Sequence, residues 1–154
     1  MTQQGHYEVQ YEETRGGQAL RLFQFLVAAT GAILFVIGLL AVFEVDFSGE
    51  VFFDTSGEVG GFGFSAALAV AAIVLGAGIL VASLASQDRT GAAMVALVTI
   101  IVGIAALVID DQPDVEASVD RGSAAVFIVL GAIAFVLSLI PWWSGRQRRT
   151  VVDR

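Results

Sequence analysis

Phe25–Phe43 reads FLVAATGAILFVIGLLAVF, nineteen residues without a charge. At about 1.5 Å rise per residue such a helix reaches roughly 28 Å, close to the hydrocarbon thickness of a bilayer, about 30 Å. Three further charge-free runs follow, Phe64–Leu84, Ala92–Ile109 and Ala124–Trp143, of 21, 18 and 20 residues. Together the four hold 78 of 154 residues, so all 23 acidic and basic residues fall in the remaining 76. A soluble four-helix bundle carries a charged face on every helix. This segregation instead predicts an all-α integral membrane protein, a four-transmembrane-helix bundle made of two helical hairpins.

Composition agrees with that solvent. Hydrophobic residues make up 56% and charged residues 15%, against about a quarter charged in soluble domains. With no Cys in the chain, disulfides, thiolate metal sites and cysteine nucleophiles are all excluded. The first run could be read as a cleaved signal segment. It is longer than the usual apolar signal core, its leader carries Glu8, Glu12 and Glu13, and no small-x-small pattern stands directly before Glu44. It is expected to stay as the first span.

The cations orient the chain. All eight are Arg; Arg15, Arg21, Arg89, Arg146, Arg148, Arg149 and Arg154 fall on one side of a four-span arrangement, and Arg121 alone on the other. The positive-inside rule then puts both termini in the cytoplasm of a multi-pass plasma-membrane protein. Residues 1–18 read as a cytoplasmic tail, 19–143 as the transmembrane domain, and 144–154 as a basic cytoplasmic tail. The external loops, 44–63 and 110–123, hold ten of the fifteen acids. With a net charge of −7 and no Lys, the chain also has the composition of a salt-adapted surface. Trp142 and Trp143, followed by Arg146, Arg148 and Arg149, form an interfacial anchor at the end of the fourth span; a specific lipid site there is the sharper alternative.

Small residues mark the helix contacts. Gly31 and Gly38 are seven apart, while Ala72 with Gly76, Thr99 with Gly103, and Ala134 with Ser138 are four apart, and Gly131 precedes the last pair. Such spacings let backbones approach where lipid supplies no hydrophobic drive. A dimerisation face or a substrate groove would use the same residues. A weak internal repeat matches Val36-Ile37-Gly38 to Ile101-Val102-Gly103 and Ile73–Ala77 to Ile128–Ala132. Matching Ser65-Ala66-Ala67 to Ser123-Ala124-Ala125 as well needs a three-residue gap. The two hairpins share one orientation, so this is a parallel repeat and not the inverted one of many transporters.

Reactive chemistry is sparse. No ionisable group lies inside any run, which disfavours a coupled pump. The single histidine, His6, sits in a polar tail, and neither Lys nor Cys is present to act as a nucleophile. No enzyme activity, cofactor or nucleic-acid partner is expected. Asp110, Asp111, Asp114 and Glu116, with Asp46, Glu50 or Asp54, could gather a hard cation, but no calcium-loop pattern supports it, and no metal site is assigned. Val45 and Phe47 alternate with acids, and across Ser48-Gly49 come Val51 and Phe53, which predicts a short β-hairpin with its aromatics on the membrane surface; an edge strand offered to a partner is the sharper alternative. Gly60-Gly61-Phe62-Gly63 reads as a flexible entry to the second span, not as a phosphate loop.

In outline the layout is similar to that of tetraspan proteins such as claudins, but the Cys pair and Trp pattern of that family are absent, so no function is implied. The expected role is a non-catalytic scaffold or accessory subunit, in contact with membrane lipids and with other membrane proteins or further copies of itself. The alternative is an oligomeric small-solute channel or facilitator.

Overall fold

The structure, a computed structural model, describes residues 16–47, 54–85, 89–110 and 119–140. Helix α1 spans Gly16–Glu44 and begins inside the segment assigned to the N-terminal tail. Strands β1 (Thr55–Val59) and β2 (Phe62–Ser65) precede α2 (Ala66–Leu80), which ends in a π-helical turn over Val81–Ala85. Helices α3 (Arg89–Asp110) and α4 (Arg121–Leu139) complete the described chain. All four helices are long and apolar enough to cross a membrane.

The burial pattern shows what the helices face. Buried positions recur at Val27, Gly31, Leu34, Gly38, Ala41 and Val45, and at Ser65, Ala69, Ala72, Gly76, Ile79 and Ser83. They continue at Ala92, Ala96, Thr99, Gly103 and Ala106, and at Ala124, Phe127, Gly131, Ala134 and Ser138. The alternating steps of four and three give a period of 3.5, the seam of left-handed packing near +20°. Beyond the seam the helices stay apolar. Only 39, 33, 28 and 33% of the four spans is buried, and residues such as Phe25, Val74, Ile101 and Val136 point outward half-exposed or more. An outer surface of this kind is stable in lipid and would aggregate in water.

The core divides between the two ends of the bundle. Leu34, Ala41, Val45, Phe64, Ala69, Ala72, Ala106, Val119, Ala124 and Phe127 cluster towards the loops, and Val27, Ile79, Ala92, Ala96 and Ala134 towards the other end. At that other end the Gln24 side-chain amide donates to the Ser83 carbonyl at 2.6 Å. This supplies an acceptor in the π-turn with a partner, as burial demands.

The loop end differs in detail from the sequence reading. The predicted hairpin across Ser48-Gly49 has its turn and second strand, residues 48–53, outside the described residues; of its first strand, Val45 follows the end of α1, its N–H bonding to the Ala41 carbonyl. The hairpin that forms is β1–β2, turning at Gly60-Gly61 with φ of 61° and 86°. Two successive positive φ values are what a two-residue turn matched to strand twist requires, and Gly-Gly supplies both without strain. The doublet is therefore a turn, and not a loose helix entry. Phe64 and Ser65, assigned to the second span, belong to β2, and α4 starts at Arg121 instead of Ala124 because Asp120 caps it.

The turn supports a direct test. A Cβ at Gly60 would meet nothing within 4 Å, so only the backbone conformation is at stake. Gly60→Val should lower stability by about 1–2 kcal/mol, the order of the left-handed penalty, whereas Gly60→Asn should cost far less. Thermal unfolding in detergent, followed by circular dichroism, separates the two.

Candidate functional site

Nine small or hydroxyl residues singled out by spacing, Gly31, Gly38, Ala72, Gly76, Thr99, Gly103, Gly131, Ala134 and Ser138, are all buried. They meet in two places. Between α1 and α2, a Cβ built on Gly38 would lie 2.7 Å from the Ile73 nitrogen and 2.9 Å from the Ala69 carbonyl oxygen. One built on Gly76 would lie 2.5 Å from the Phe35 nitrogen and 2.8 Å from the Gly31 oxygen. Between α3 and α4, Gly103 meets the Ala124 oxygen at 2.9 Å and the Ile128 nitrogen at 3.0 Å, and Gly131 meets the Ala96 oxygen and Ile100 nitrogen, both at 3.1 Å. Each pair of helices is thus in backbone contact through two glycines, one from each helix.

The two contacts correspond residue for residue. Adding 65 to Gly31, Phe35 and Gly38 gives Ala96, Ile100 and Gly103, while adding 55 to Ala69, Ile73 and Gly76 gives Ala124, Ile128 and Gly131. The same 55 relates Ser83 to Ser138, both buried, and relates the helix caps. Ser65 Oγ accepts from the Leu68 N–H at 3.3 Å, and Asp120 Oδ2 accepts from the Ser123 N–H at 3.0 Å. The match of Ser65 to Ser123, with its three-residue gap, is therefore replaced by Ser65 with Asp120 and no gap within the helix. What differs is the connecting loop, ten residues longer in the first unit, where β1 and β2 are housed.

Inside the spans the hydroxyls turn back on their own helices. Thr30 donates to the Val27 carbonyl at 2.8 Å, Thr99 to Val95 at 2.9 Å, Ser83 to Leu80 at 3.1 Å and Ser138 to Ala134 at 2.7 Å. Each is satisfied locally, the usual state of such groups in apolar helices.

Asp120 joins the two loops at the bundle end. Besides capping α4, its Oδ2 accepts from the Gly63 N–H at 3.1 Å, and its own N–H donates to Thr55 Oγ1 at 3.2 Å. A bulge between Thr55 and Gly57 re-aims Ser56, whose Oγ accepts from the Asp46 N–H at 3.0 Å. By sequence alone Asp120 counts only as a surface acid, and Asp46 as one of the acids that could gather a cation. The signal that distinguishes Asp120 is positional: it stands three residues before Ser123 at the head of an apolar run, an N-cap pattern.

Trp142, Trp143, Arg146, Arg148 and Arg149 lie outside the described residues, as do Glu50, Asp111, Asp114 and Glu116. Among the described residues no three acids or histidines gather as metal ligands. Comparison with protein-family models, curated proteins and solved structures returns no match.

Two outcomes follow from this geometry. Gly38→Leu and Gly103→Leu should each destabilise the bundle by at least the roughly 1–3 kcal/mol typical of overpacking, because the colliding atoms are backbone; retention of wild-type thermal stability in detergent would contradict the contacts. Asp120→Ala should cost about 1–2 kcal/mol through loss of the cap and should expose the Gly63 amide to hydrogen exchange, whereas Asp120→Asn should preserve most of both.

Proposed function

We propose that this chain is a non-catalytic scaffold or accessory subunit of a plasma-membrane complex, with two parallel-oriented helical hairpins and both termini cytoplasmic. The observation that carries the reading is how the bundle divides its surfaces. Its inside is closed by backbone contacts between small residues, and its buried hydroxyls are spent on their own helices. Its outside is a continuous apolar surface offered to lipid and to neighbouring helices. A protein built this way has rigidity and adhesive surface to contribute, and the hydroxyls inside the spans have no Lys, His, Asp or Glu beside them in those runs to activate them.

The orientation rests on the Arg distribution, seven residues against one. The residue correspondence between α1–α2 and α3–α4 supports the same arrangement, because two equivalent units with matching caps place both connecting loops at one end. Binding to other membrane proteins would then use the exposed helix faces, with the acidic loops outside as a hydrated, like-charged rim that discourages nonspecific contact.

Because the chain lacks Cys, single cysteines report topology cleanly. Glu58→Cys should react with an impermeant maleimide on intact cells, and Thr2→Cys and Thr150→Cys only after permeabilisation; the reverse pattern would invert the orientation. For the role itself, in-membrane photocrosslinking should capture one dominant partner protein, and the purified protein should leave liposomes electrically and osmotically silent. Reproducible flux, abolished by Gly38→Leu or Gly103→Leu in protein that still folds, would favour the channel instead.

A further inference from the structure

We draw no further inference here: the strongest candidate, the apolar groove of about 360 Å³ between α1 and α4, walled by Ile33, Ile37, Phe62 and Val129, carries nothing because no feature of the structure shows what covers it.

Discussion

A single methyl group on Gly76 would come within 2.5 Å of the Phe35 backbone nitrogen, closer than non-bonded carbon and nitrogen can approach. In water such a contact would be one of many supports for a bundle. In lipid the balance changes, because a Leu facing another helix is no better off than a Leu facing an acyl chain, and association depends on close packing. Gly38 and Gly76 let α1 and α2 meet along their backbones, and Gly103 and Gly131 do the same for α3 and α4. The 3.5-residue seam, the small core residues between the larger Phe64 and Phe127, and the wholly apolar exterior all follow from that requirement.

The loop end has a different chemistry for the same purpose. Helix ends leave amides without intrahelical partners, and near an apolar medium those must be satisfied by the protein. Ser65 does this for α2 and Asp120 for α4. Asp120 reaches further and ties Gly63 and Thr55 of the β-hairpin to the second unit. The longer first loop is thereby fastened across the bundle end, and the two units are joined by polar bonds there as well as by apolar packing within the spans.

The four spans are legible in the sequence because solvent decides where charge can sit, and the gap between 78 uncharged residues and 76 others is too clean for a bundle in water. The small residues at the seams are legible for a related reason, since spacings of four and seven keep them on one face. Which helix each face meets is not, because Gly38 opposite Ile73 and Gly38 opposite Ile128 look alike in one dimension. The β1–β2 hairpin is not legible in hydrophobic alternation; its determinant is the Gly60-Gly61 doublet, whose two positive φ values no larger side chain supplies without strain. The repeat is misaligned by letter identity: Ser65 and Ser123 are the same residue type, whereas Ser65 and Asp120 each present an oxygen to an orphan amide.

The central claim is that backbone contact at paired glycines, repeated in two equivalent units, holds this bundle together. Its most direct test is the unfolding free energy in bicelles, by steric trapping, of Gly76→Ala, Gly131→Ala and Gly78→Ala. The added methyl meets backbone in the first two, but at Gly78 meets only the end of the Val95 side chain at 3.1 Å. Losses of about 1–3 kcal/mol at Gly76 and Gly131, with little change at Gly78, are the predicted result; three equal effects, or no loss at Gly76, would contradict it.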